Sequence, residues 1–84
     1  MRVKSLGKNI TEIQLNNTIV LVSYETPVAL VHPIWHGKEP RALKTSEFHS
    51  ITTSKHINQW LKNNGINSDE VKYAPQKYFN GLLE

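Results

Sequence analysis

The segment from Thr52 to Leu61 constrains the fold of this chain most, because it combines a helix start with a short apolar stripe. Ile57, Trp60 and Leu61 fall at positions i, i+3 and i+4, which is one face of a helix. A helix of about eleven residues is marginal in water on its own. We therefore expect its apolar face to dock on a sheet formed by the preceding sequence.

The boundaries of this helix are indicated by hydroxyl and glycine residues. Thr53 is the predicted N-cap, since its hydroxyl can accept a hydrogen bond from an amide of the first turn, and Thr52 or Ser54 could take the same role. Gly65 follows two asparagines and is predicted to end the helix in the left-handed conformation.

Alternating branched apolar residues predict a hairpin of two strands, residues 10–15 and 18–24, joined by the turn Asn16-Asn17. The tight turn pairs Leu15 with Thr18. The more apolar face is assigned to the core and consists of Thr11, Ile13, Leu15, Val20, Val22 and Tyr24. The opposite face bears Ile10, Glu12, Gln14, Ile19, Leu21 and Ser23, where we expect the C-terminal segment to give Ile19 and Leu21 partial cover.

The other strands are shorter. We expect an edge strand at residues 2–6, a bend or bulge near Pro27, and strands at 28–31, 41–44 and 47–51.

The C-terminal part is predicted to be extended at residues 71–73 and then helical. Pro75 suits the first position of a helix. The residues that share one face of this short helix are Tyr78, Phe79, Leu82 and Leu83. The fold class is therefore α+β, with a small antiparallel sheet of about four to five strands covered by one helix in the C-terminal half plus the short terminal helix.

Length and composition favour one small domain spanning residues 1–84, of which 38% are hydrophobic. The absence of cysteine excludes disulfides and thiolate metal sites. Met1 is not followed by a basic and then apolar leader, and the longest apolar run, residues 19–22, is far too short to span a membrane. We expect a soluble cytoplasmic protein with no membrane contact.

The formal net charge of +3 leaves two explanations open. A modest basic excess favours binding to nucleic acid or to an acidic protein surface. The chain has no basic run of the kind that marks a nucleic-acid patch, and a net charge of this size also serves solubility alone.

The histidines do not predict a metal site. His32 and His36 have the spacing of metal ligands on a helix, but Pro33 and Gly37 argue against a helix there. We interpret them as solvated loop residues.

No catalytic motif is evident. Ser54, Lys55 and His56 are adjacent, and adjacent residues of a helix point in different directions, whereas a nucleophile needs its base within hydrogen-bond reach. The four glycines are scattered and form no phosphate-binding loop. The sequence therefore predicts neither an enzyme nor a cofactor.

The best candidate for partner binding is the loop between Pro33 and Pro40. An exposed tryptophan beside an isoleucine is typical of an interface hot spot, and the alternative is that the loop folds over an open sheet face and buries both. Flanking cations suit an acidic partner or a nucleic-acid backbone. The candidate partner-binding residues are Ile34, Trp35, Lys38, Arg41 and Lys44.

The chain resembles a family of small uncharacterised proteins of tailed bacteriophages and their hosts. The resemblance lies in SYETPVA at residues 23–29 and TTSKHINQWL at residues 52–61, with a weaker similarity at residues 75–83. Residues 32–47 are longer than the glycine-rich turn of that family. The resemblance implies a viral accessory protein in the bacterial cytoplasm and transfers no activity.

The expected function is therefore that of a non-enzymatic binding module on a host or viral protein, as an inhibitor or modulator of a host system. A nucleic-acid-binding protein is the alternative, and a small enzyme is the weaker third. A homodimer through an exposed strand edge or the terminal helix also stays open.

Overall fold

The computed structural model describes residues 2–33 and 40–82. It has the predicted α+β class, with a mixed six-stranded sheet whose strands lie in the same order as in the sequence. The strands are β1 Arg2–Gly7, β2 Ile10–Leu15, β3 Thr18–Ser23, β4 Thr26–Val31, β5 Ala42–Thr45 and β6 Val71–Ala74. The helices are α1 Ile51–Asn63, a 3-10 turn at Ser68–Glu70, and α2 Gln76–Leu82. Among these described residues, no helix has the length and hydropathy needed to cross a membrane.

The last strand departs from the predicted topology. Strands β1 to β5 pair antiparallel with their neighbours, as expected, but β6 pairs parallel with β5. A parallel partner requires a crossover connection, and α1 lies in that connection. The prediction of a purely antiparallel sheet of four or five strands was therefore wrong in strand number and in the direction of β6.

The predicted hairpin register is confirmed. Leu15 pairs with Thr18 and Ile13 pairs with Val20 across a turn that includes Asn16 at φ 48°. Asparagine tolerates this left-handed conformation better than most residues.

Strand β3 is one residue shorter than predicted because of the turn that follows it. Tyr24 and Glu25 have φ angles of 58° and 155° and join β3 tightly to β4, so that Ser23 pairs with Thr26. The strand therefore ends at Ser23 instead of Tyr24, whose side chain is exposed.

The expected irregularity near Pro27 is confirmed as a β-bulge. Leu21 pairs with Ala29 and Val22 with Pro27, which leaves Val28 without an opposite residue. The strand begins before the proline, at Thr26, because a residue without an N–H is tolerated where the ladder is interrupted.

Helix α1 covers one face of the sheet. Its apolar residues Ile57, Trp60 and Leu61 are all buried, as predicted. They form a core cluster with sheet residues and one residue that follows the helix: Leu21, Val28, Ala29, Val31, Ala42 and Ile66.

Helix α2 covers the opposite face, where Phe79 is fully buried against Val20 and Leu30. The predicted assignment of the two faces was therefore inverted, since α1 covers Leu21 and the terminal helix covers Val20. A strand that is apolar on both faces carries no alternation to decide which helix covers which face. Tyr78 is half exposed, and Leu83 lies outside the described residues.

Helix α1 starts earlier than predicted. It begins at Ile51, and the Ser50 hydroxyl accepts a hydrogen bond from the Thr53 N–H at 3.0 Å, so Ser50 is the N-cap instead of Thr53. The predicted strand at residues 47–51 is absent from the structure, because this segment supplies the cap and the first helical residue. The helix ends as predicted, with Gly65 at φ 74°.

Candidate functional site

The structure describes two of the five predicted partner-binding residues. Arg41 precedes β5 and Lys44 lies within it, whereas Ile34, Trp35 and Lys38 lie outside the described residues. The contribution predicted for Trp35 therefore stays a prediction.

Arg41 is engaged in an ion pair. Its guanidinium donates to the Glu70 carboxylate at 3.4 Å, and both side chains are partly exposed. The same carboxylate accepts the backbone N–H of Asn67 at 3.0 Å. This backbone bond, together with Arg41, holds the pKa of Glu70 below its ordinary value. Arg41 therefore connects the start of β5 to the turn that precedes β6.

Lys44 lies against an exposed aromatic ring. It pairs with Tyr73 of β6 in the parallel ladder, and its ammonium nitrogen is 5.0 Å from the centroid of the Tyr73 ring, within the range of a cation–π contact. Tyr73 is 69% exposed, and Phe48, in the loop after β5, is 71% exposed. Both rings therefore present most of their surface to solvent.

A groove lies between α1 and β6 because α1 packs over β3 and β4 and leaves this part of the sheet open. We call it the β6 groove; it encloses about 380 Å³ and is lined by Lys44, Asn58, Leu61, Lys62, Ile66, Ser68, Val71 and Tyr73. A neighbouring cavity of about 250 Å³ shares Lys44, Asn58 and Tyr73 with it and extends to Phe48. Lys44 and Tyr73 lie between the two cavities, which together form one continuous surface.

Strand β6 is also an edge of the sheet. The Ser46 N–H donates to the Ala74 carbonyl at 2.9 Å, which places the peptide groups of Ala74, and by the two-residue repeat those of Lys72, toward β5. The peptide groups of Tyr73 then point to the open side. Within residues 2–33 and 40–82, the only strand that pairs with β6 is β5.

A chain of hydroxyl groups joins the end of β3 to α1. The Ser23 oxygen lies 2.9 Å from Nδ1 of His56 and 3.2 Å from the Thr53 hydroxyl, which is 3.2 Å from the Ser50 hydroxyl. Ser50 donates to the Thr53 hydroxyl, and the Ser23 hydroxyl links Thr53 to Nδ1 of His56.

The contact between Ser23 and His56 is a serine–histidine pair that the sequence did not predict. The partner of His56 lies in β3, 33 residues earlier in the chain. Ser23 is only 2% exposed and its oxygen contacts both Thr53 and His56, so the pair serves to hold α1 against the β3–β4 turn. The signal for it was the period of two that places Ser23 on the same face as Leu21.

The remaining histidines of the described part each have a side-chain partner from another part of the chain. Nδ1 of His32 lies 3.3 Å from the Thr18 hydroxyl, and Nε2 of His49 lies 2.7 Å from the Gln76 side-chain oxygen. Residues 2–33 and 40–82 contain no group of three side chains arranged to hold a metal ion. His36 lies outside these residues.

Comparison with known proteins places the chain in a family. A family model described as a family of unknown function, DUF8033, matches residues 1–81. The chain belongs to this family. No curated protein and no solved structure matches the sequence.

In this DUF8033 chain, the residues that the sequence did not single out include Lys62 and Tyr73 of the β6 groove and Phe48 of the neighbouring cavity. Residues 71–73 were predicted to be extended without a role, and Phe48 was placed in a strand that does not form. Residues two apart in a strand lie on the same face, so the spacing of Val71 and Tyr73 was the sequence signal that places Tyr73 on this surface.

Proposed function

We propose that this protein is a non-enzymatic binding module that engages a protein partner through the β6 groove. The observation that carries the proposal is the contiguous exposed surface formed by Lys44, Tyr73 and Phe48. Tyrosine and phenylalanine are enriched in protein interfaces, where they bury a large rigid surface at a low cost in conformational entropy.

The cations support a partner with an acidic surface. Lys44 and Lys62 both line the groove, and Lys62 comes from the last turn of α1. A positive patch around an aromatic centre increases the association rate and the specificity for a negative partner. Arg41 supports this surface indirectly, since its contact with Glu70 orders the turn before β6.

The chemistry of Ser23 and His56 gives less support to an enzyme. A serine nucleophile must reach substrate, and Ser23 is almost fully buried. No third side chain that would orient His56 is recorded among the hydrogen bonds of the described residues.

The resemblance to small proteins of tailed bacteriophages supports a setting for this module. The partner would be a host or viral protein in the bacterial cytoplasm, and the module would inhibit or modulate it. The five residues predicted from the sequence belong to this proposal, with Lys44 in the groove and Trp35 in the sequence between β4 and β5.

Affinity capture from a bacterial lysate tests the proposal. Tyr73→Ala should lose the partner that wild type retains, and Tyr78→Ala, which removes a half-exposed tyrosine from the opposite side of the sheet, should retain it. Trp35→Ala tests the sequence-predicted loop in parallel.

Equal recovery of the partner by wild type and Tyr73→Ala would show that the β6 groove does not bind the partner. Loss of the partner with Trp35→Ala alone would move the site to the loop.

A further inference from the structure

We propose that the β6 groove takes an extended acidic segment of the partner, which adds to the sheet alongside β6. This inference rests on the proposed function and names the chemistry of the partner. It uses three properties of the groove: an open strand edge, a basic lining and an apolar floor.

The open edge offers a ready main-chain partner. The peptide groups of Lys72 and Ala74 face β5, so the N–H and C=O of Tyr73 face away from the sheet. An added strand can pair with these groups, as in recognition by β-strand addition. Tyr73 thus contributes both backbone and side chain to the same surface.

The charges of the groove favour an acidic segment. Its eight lining residues include Lys44 and Lys62 and no acidic residue. Helix α1, residues 51–63, likewise contains no Asp or Glu. Glu70, in the turn before β6, is paired with Arg41. An acidic side chain entering the groove therefore meets two cations and no competing anion within its lining.

The floor of the groove is apolar. Leu61 and Ile66 are buried there, and Val71 is half-buried beside them. The groove volume of about 380 Å³ lies within the range of roughly 300–1,000 Å³ that is typical of ligand pockets. The bound segment should therefore carry an apolar side chain next to its acidic residue.

A polypeptide fits this groove better than a nucleic acid does. Main-chain groups at a strand edge match the alternating donors and acceptors of an extended peptide, whereas a phosphate backbone offers only acceptors.

The experiment is a titration of the full ¹⁵N-labelled chain followed by NMR, with two blocked six-residue peptides at low salt. One peptide alternates glutamate with valine and phenylalanine, and the other carries lysine in place of glutamate. We expect the acidic peptide to shift the amide signals of residues 61–66 and 71–74, and the lysine peptide to leave them in place.

Charge-reversal variants give a matched comparison. Lys62→Glu should weaken binding of the acidic peptide by roughly fivefold, which is the size expected for about 1 kcal/mol of exposed charge interaction. Lys77→Glu makes the same charge change on α2, which covers the opposite face of the sheet, and it should leave the affinity unchanged.

Several results would overturn the inference. These are shifts confined to β1, the other edge of the sheet, equal effects of the two lysine variants, or the absence of shifts at millimolar peptide. Shifts of residues 61–66 and 71–74 by an oligothymidine at lower concentration than the peptide would make nucleic acid the occupant. If the lysate capture depends on Tyr73 while the peptides fail, the proposed function stands and this inference does not.

Discussion

At the scale of single residues, the small side chain of Ser23 links two elements of the fold. Its hydroxyl contacts Thr53 and His56, so one side chain connects β3 to two positions of α1. Because it is buried, each of these polar groups depends on the others for its hydrogen bonds.

We predict that Ser23→Ala lowers the free energy of unfolding by about 1–3 kcal/mol, since it removes the partner of His56 Nδ1 and one of the two partners of the Thr53 hydroxyl. Urea denaturation followed by tryptophan fluorescence measures this. Ser5→Ala, in exposed strand β1, is the control and should change stability by less than about 0.5 kcal/mol. Equal stability of the two variants would show that the hydroxyl chain contributes nothing.

Residues whose role follows from local conformation were predictable from the sequence. Gly65 at the helix end and Asn16 in the hairpin turn both have positive φ, as their residue types indicate. The partners of Ser23 were not predictable, because they depend on which helix covers its face of the sheet. That choice is made by the whole chain.

At the scale of elements, the start of α1 depends on Ser50. Its hydroxyl accepts the Thr53 N–H and donates to the Thr53 hydroxyl, so it caps the helix and begins the chain that ends at His56. The sequence has four hydroxyl residues in the five positions 50–54, and local propensity did not distinguish among them.

Ser50→Ala should therefore destabilise the protein by about 1 kcal/mol, the usual cost of removing an N-cap. Ser54→Ala is the matched control within α1 and should be neutral or slightly stabilising, since alanine favours a helix interior. Thermal unfolding followed by circular dichroism compares the two. If Ser54→Ala were the less stable of the two variants, the N-cap would lie at Ser54, one of the positions that the sequence offered.

Among the elements, the hairpins and α1 were predicted because their signals are local, namely the period of two, the asparagine turn and the apolar stripe. Strand β6 was predicted only as extended, since its partner β5 lies on the other side of α1 in the sequence. Residues 47–51 were predicted as strand because Phe48 and Ile51 have β propensity, but they are used for the helix start.

At the scale of the whole molecule, one sheet separates two apolar clusters. The cluster under α1 is centred on Trp60, whose indole N–H donates to the Glu12 carboxylate at 2.9 Å, and the cluster under α2 is centred on Phe79. A small domain has little stability to spare, so both clusters are required.

Phe79→Ala should cost about 3–5 kcal/mol, as for other fully buried phenylalanines. That is a large part of the roughly 4–13 kcal/mol expected for a chain of this length. Phe48→Ala removes an equal side chain from the exposed surface and should stay within about 0.5 kcal/mol. The midpoints of denaturant unfolding compare the two variants. If Phe79→Ala were as stable as Phe48→Ala, packing of α2 on the sheet would not contribute to stability.

The candidate site was predictable in its charges and not in its shape. Lys44 and Arg41 were singled out as cations flanking the predicted loop, and the structure places Lys44 in the β6 groove. The groove itself arises from the docking position of α1 relative to β6. No local pattern in the sequence encodes that position.

The parallel pairing of β5 and β6 has a consequence for the order of assembly. Strands β1 to β4 close through turns of two residues, which have a small entropic cost of loop closure. Joining Ala42 to Val71 must wait until the intervening chain has been ordered, and long-range parallel pairing is slow. We therefore expect strand β6, and with it the groove, to be the last part of the sheet to form during folding.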